Sequence, residues 1–118
     1  MKTNLKLSKV ATIDIGSNAI RLLISNVFEI KGVKYHTKNS LYRVQLRLGD
    51  DSFKYGTLSE KNYGKLKSTL KSFKLILEIN EIKKYLAYAT SAMRNLNNGE
   101  KILMSLDCLL YTSPSPRD

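Results

Sequence analysis

The sequence predicts an α/β domain: an antiparallel three-strand meander, a helix, a fourth strand parallel to the first, and short helices. Three observations carry this. Two apolar runs between about Lys9 and Phe28 flank a tight polar turn, Asp14-Ile15-Gly16-Ser17-Asn18. Tyr63, Leu66, Leu70, Phe73 and Leu77 recur at intervals of three and four, which makes one apolar helical stripe. Lys83–Ala89 then reads as a strand, and a strand reached through a long helix runs parallel to its partner.

In chain order, Ile20, Leu22, Leu23 and Ile24 lack clean alternation, which predicts a second strand covered on both faces. Gly32 lies in a short turn, Glu29 to Lys34. A third strand is expected from Tyr35 to Leu48, with Leu46 and Leu48 alternating about Arg47. Gly49-Asp50-Asp51 ends it, and Ser52 to Thr57 is a loop. The helix opens at Thr57-Leu58-Ser59-Glu60, where Thr57 with Glu60 has capping-box spacing and Ser59 is a second N-cap candidate. Lys61, Lys65, Lys67 and Lys71 fall off the apolar stripe and read as a solvated face. Asn80 ends the helix region. Thr90 and Ser91 are N-cap candidates for a short helix through Met93, Arg94 and Leu96. Asn97-Asn98-Gly99 breaks it before a further helical segment, Glu100 to Leu106.

Composition bounds the function classes. A chain of 118 residues suits one modest domain with one core. No apolar run is long enough to span a bilayer, and the N-terminus has no apolar stretch of the secretory kind. Cys108 is the single cysteine, which excludes an intrachain disulfide and fits a reducing, cytoplasmic setting. Lys and Arg number 20 against 10 acids, a formal charge of +10 that favours polyanionic partners. A lysine-rich solvated surface explains the same count.

The chemistry concentrates in two loops. Gly16, Ser17 and Asn18 offer backbone and hydroxyl contacts suited to an oxyanion; an ordinary hairpin turn is the plain alternative. Asp14, at the strand end, is suited to Mg²⁺ with retained waters. If Lys83–Ala89 runs parallel to Val10–Asp14, both strands end at one sheet edge, where ligands of open α/β sheets bind. Thr90 and Ser91 would then face Gly16–Asn18, and Arg94 could grip phosphate oxygens. Arg21 can pair with a carboxylate or reach a ligand. His36 is a lone histidine and reads as structural. No Ser/His/Asp set, carboxylate pair or Cys/His cluster is visible.

Ala11 to Ile24 resembles the first phosphate loop of the exopolyphosphatase/guanosine pentaphosphate phosphatase (Ppx/GppA) family, which reads Asp-hydrophobic-Gly-Ser-Asn-small-hydrophobic-Arg. Leu46-Arg47-Leu48-Gly49-Asp50 with Gly56-Thr57-Leu58-Ser59-Glu60 is similar to the next family segment. Ala89-Thr90-Ser91-Ala92-Met93-Arg94-Asn95 is similar to the family's Ala-Thr-Ser-Ala-x-Arg box. The resemblance runs from Val10 to Leu106. It implies a truncated actin-like ATPase (ribonuclease H-like) domain with strand order 3-2-1-4-5. It further implies Mg²⁺-dependent hydrolysis of terminal phosphoanhydrides in polyphosphate or guanosine pentaphosphate. By position, Asp14 would bind metal, Gly16, Ser17, Asn18, Thr90 and Ser91 would hold phosphate, and Arg94 would contact the chain.

The resemblance also implies what is missing. The family's presumed catalytic glutamate comes after a further strand and does not occur in this sequence, and Glu100 comes too early to replace it. Residues 1–107 therefore read as the N-terminal part of the first lobe, inactive alone. Residues 108–118, Cys108-Leu109-Leu110-Tyr111-Thr112-Ser113-Pro114-Ser115-Pro116-Arg117-Asp118, resemble a translated adapter and read as a non-native, disordered tail. A Ser/Pro-rich linker is the alternative. Lys83–Ala89 is then an open edge strand, and the expected result is a marginal, aggregation-prone polypeptide. The competing functions are a sugar-kinase-like ATPase lobe, disfavoured by Ser17-Asn18 where those relatives carry Gly-Thr, and a basic polyanion-binding module. Neither a membrane nor nucleic acid is the expected partner. A homodimer of the complete protein stays open.

Overall fold

A computed structural model describes residues 5–49, 56–89, 97–99 and 101. Strands β1 (Leu5–Ile15), β2 (Ala19–Ile30) and β3 (Val33–Gln45) precede helix α1 (Glu60–Ile79) and strand β4 (Lys84–Ala89). The sheet order is β3-β2-β1-β4. The first three strands pair antiparallel, and β4 runs parallel to β1 with Val10 opposite Lys84 and Ile15 opposite Ala89. This is the actin-like ATPase fold expected from the sequence, as far as its fourth strand. Of the expected short helices after Thr90, only Gly99 and Lys101 are described, and both are helical; the rest, and the tail, fall outside the described residues.

Local chemistry explains the elements. Lys31 and Gly32, both at positive φ, form the two-residue turn between β2 and β3, the twist-matched geometry for a hairpin. At the helix start Ser59 is the N-cap: its hydroxyl accepts from the Asn62 N–H at 3.2 Å. The hydroxyl therefore satisfies one of the otherwise unpaired first-turn donors. At the other end the Ile82 N–H reaches the Leu77 carbonyl (2.9 Å) and the Glu81 N–H reaches that of Glu78 (3.0 Å). That is a Schellman closure with Glu81, at φ 57°, in the left-handed position where glycine is usual.

The core lies between one sheet face and α1. Ala11, Ile13 and Ile15 from β1 and Ile20, Leu22 and Ile24 from β2 meet Leu66, Leu70, Phe73 and Leu77 of the predicted stripe. Tyr63 is only partly buried against them. Lys61, Lys65, Lys67 and Lys71 are exposed, as expected, and Lys67 rests over the Tyr63 ring at 4.7 Å.

Two expectations are corrected. β2 is not covered on both faces by described residues. Ile20, Leu22 and Ile24 are buried while Arg21 is exposed and Leu23 half-buried, and on that second face Leu41, Leu86 and Tyr88 are exposed. The unbroken apolar spelling hid a real alternation, because Leu23 points away from the helix. β3 ends at Gln45, not Leu48. Leu46 and Leu48 are buried, but the Leu46 N–H to the Asn18 carbonyl (3.2 Å) is the last contact in the β2–β3 register; the chain then turns, the Leu48 N–H bonding the Leu46 carbonyl (3.1 Å).

Candidate functional site

Asp14 and the Gly16–Asn18 loop sit at the carboxyl end of β1. The loop closes when the Gly16 N–H donates to the Ala19 carbonyl at 2.9 Å. A Cβ on Gly16 would lie 3.0 Å from that same carbonyl oxygen, so a side chain there would require the turn to shift by a few tenths of an ångström. The segment leaving β3 then holds the loop from below. The Gly49 N–H donates to the Ser17 carbonyl (2.8 Å) and the Leu46 N–H to the Asn18 carbonyl. Glycine at position 49 eases this approach: a Cβ on it would stand 3.2 Å from the Ser17 Cβ.

The two carbonyls are thus committed to the protein. The N–H groups of Ser17 and Asn18 have no acceptor among the described residues. Gly16 and Ser17 are half-buried and Asn18 is exposed. A short loop whose carbonyls are tied back and whose donors are open can receive an oxyanion.

Asp14 is half-buried, opposite Arg21 on β2 and Tyr88 on β4. Those three residues and Arg43, opposite Arg21, share one row on the sheet face away from α1. Among the described residues no group of three metal-ligating side chains exists. A single carboxylate still suits Mg²⁺, which keeps waters and takes its other ligands from substrate phosphate.

β4 ends at Ala89 opposite Ile15, so the two parallel strands do run out at the same edge. Thr90, Ser91 and Arg94 lie outside the described residues. Asn97 and Asn98, a few residues beyond Arg94, are anchored. Asn98 accepts the Leu58 N–H on its side-chain oxygen (3.1 Å) and donates its amide to the Leu58 carbonyl (3.4 Å), while the Asn97 N–H bonds the Gly56 carbonyl (2.6 Å). The Asn98 side-chain amide stands in for a peptide group. In the sequence, Asn97-Asn98-Gly99 reads only as a helix breaker and Gly49 only as the end of a strand. Buried Leu46 and Leu48 beside a glycine are the available signal for the support under the loop. His36 is exposed on β3 with no partner that would make it a metal site among the described residues.

No family model matches the chain. Exopolyphosphatase 1 of Mycobacterium tuberculosis is 30% identical over 95 residues, 80% of this chain and 27% of that protein, and the Mycobacterium bovis protein matches equally. A crystal structure of the Aquifex aeolicus Ppx/GppA family member superposes with a TM-score of 0.77 at 26% identity, over 86% of this chain and 32% of that one. The chain is similar in sequence and in fold to about a third of the length of Ppx/GppA family proteins. An exopolyphosphatase from Cytophaga hutchinsonii shares the fold, with a TM-score of 0.73 at 22% identity, over 87% of this chain and 32% of its own. The chain spans about a third or less of each of these relatives. Among the described residues no helix is long and apolar enough to cross a membrane.

Proposed function

We propose that the protein carrying this chain releases terminal phosphate from a linear phosphoanhydride, polyphosphate or guanosine pentaphosphate, and that residues 1–107 form part of its first lobe. The observation that carries this reading is the Gly16–Asn18 loop. Its carbonyls are tied to Leu46 and Gly49, and its donors are open at the edge where β1 and β4 both end.

In this reading Gly16, Ser17 and Asn18 bind and orient the terminal phosphate through N–H and hydroxyl donors. Asp14 would hold Mg²⁺, which supplies charge neutralisation of the phosphate oxygens when bound. Thr90, Ser91 and Arg94, immediately after β4, are proposed as the opposite wall. The names of the relatives, exopolyphosphatase and Ppx/GppA, support polyphosphate as the first substrate to try.

The test is phosphate release by the complete protein. Asp14→Ala is expected to lower release from polyphosphate on the order of 100-fold. A wild-type rate in that variant would remove Asp14 from the site. Calorimetry on the complete protein separates the kinase-like alternative: binding of ATP without binding of polyphosphate would favour it. A basic binding module without turnover would show salt-dependent polyanion binding that ignores Asp14.

A further inference from the structure

A groove of about 700 Å³ opens between the end of β3 and the first half of α1. Val44, Gln45 and Leu46 form one side and Gly64, Ser68 and Thr69 another, with Lys61 and Lys65 on its rim. It adjoins the phosphate loop through the backbone: Ala19 is opposite Gln45, Ile20 is opposite Val44, and the Leu46 N–H holds the Asn18 carbonyl.

Lys61 and Lys65 border the groove from the first half of α1, after Glu60 in its first turn, while Lys71 and Lys74 lie in the second half. Lys61 and Lys65 are also four apart, so they repel each other on one helix face. Neither has an ion-pair partner among the described residues, whereas Lys67 is engaged with Tyr63. Gly64 lies between them, and a Cβ there would meet nothing within 4 Å, so the floor of the groove is kept open. Two cations on one helix face, without ion-pair partners among the described residues and beside an open groove, form an arrangement that an anion would stabilise.

We infer that this groove binds the continuing part of a linear phosphate polymer whose end is held at the Gly16–Asn18 loop. The inference rests on the proposed function for the loop but concerns different residues. Lys61 and Lys65 would contact successive phosphates as point charges, and Gly64, Ser68 and Val44 would leave the chain room to lie along the groove. Binding here would select by polymer length, since only a ligand long enough to run from the loop into the groove would reach the lysines.

The experiment measures binding by the complete protein, with EDTA present to suppress turnover, of long-chain sodium polyphosphate and of tripolyphosphate at several salt concentrations. The double variant Lys61→Glu/Lys65→Glu is expected to bind long-chain polyphosphate at least about tenfold more weakly, with a salt slope shallower by about one to two. Tripolyphosphate affinity should stay within about twofold. Gly64→Glu, which leaves both lysines in place, should reproduce the chain-length-selective loss. Unchanged long-chain affinity, or equal loss for both ligands, would overturn the groove assignment. So would duplex DNA binding more tightly than polyphosphate with the same dependence on these lysines. A chain-length-selective loss in a protein that releases no phosphate would retain the groove and remove the proposed activity.

Discussion

The two ends of the sheet differ in how firmly they are held. At the loop end, Ile13, Leu22 and Leu66 are fully buried under α1. At the hairpin end the same sheet face presents Leu5, Leu7, Ile30, Val33 and Tyr35, all exposed, with Leu7 at 65%. Length is the cause. A helix of 20 residues spans about 30 Å, whereas 12 residues of β2 span about 40 Å. The helix stops at Asn80, beside Lys9, whose ammonium is 3.5 Å from the Asn80 side-chain oxygen. Beyond Lys9 the strands continue without it. The packing free energy is therefore concentrated beneath the Gly16–Asn18 loop, and the hairpin end is held by backbone pairing.

That contrast can be broken most directly in the core. Leu22→Ala is expected to destabilise the fold by about 2–5 kcal/mol, whereas Leu7→Ala, on the same sheet face, should change stability by less than about 0.5 kcal/mol. Denaturant titration of both variants decides between them, and similar losses would show that the hairpin end is packed after all. An intermediate effect is expected at the support of the loop. Gly49→Ala must displace Ser17, and should cost about 1–2 kcal/mol together with faster hydrogen exchange of the residue 49 amide. At the helix terminus that faces the hairpin end, Glu81→Gly should stabilise by about 0.5–1 kcal/mol, because it relieves a left-handed backbone. A higher thermal midpoint would show that this end has stability to gain.

The helix stripe, the turn at Gly32 and the parallel fourth strand are all legible in the sequence, since each depends on local periodicity or on short-range connection. Strand ends are less legible. Leu46 and Leu48 alternate like strand residues, yet after Leu46 the chain turns, the Leu48 amide bonding the Leu46 carbonyl and the Gly49 amide the Ser17 carbonyl, which no local pattern reveals. The same holds for the loop. Gly16, Ser17 and Asn18 stand out as a candidate from residue type alone, but the tie from Gly49 to Ser17 is a tertiary contact. Lys61 and Lys65 read as solvent-facing, and they are exposed; their shared groove with Val44–Leu46 exists only because β3 and α1 lie side by side.

One residue in β3 has a wider effect than its size suggests. Ser25 pairs with Lys38 and Ile24 with Ser40, so Asn39 is an extra residue in the ladder, with its amide on the Asn26 side chain at 3.0 Å. Sidedness along a strand is a matter of odd and even, and one inserted position exchanges them. Before Asn39 the odd residues Val33 and Tyr35 share the face of α1; after it the even residues Tyr42 and Val44 do. The strand thus carries two phases joined by one asparagine. Because of that phase change, Val44 comes to stand at the lip of the groove, and Arg43 is left in the row of Asp14.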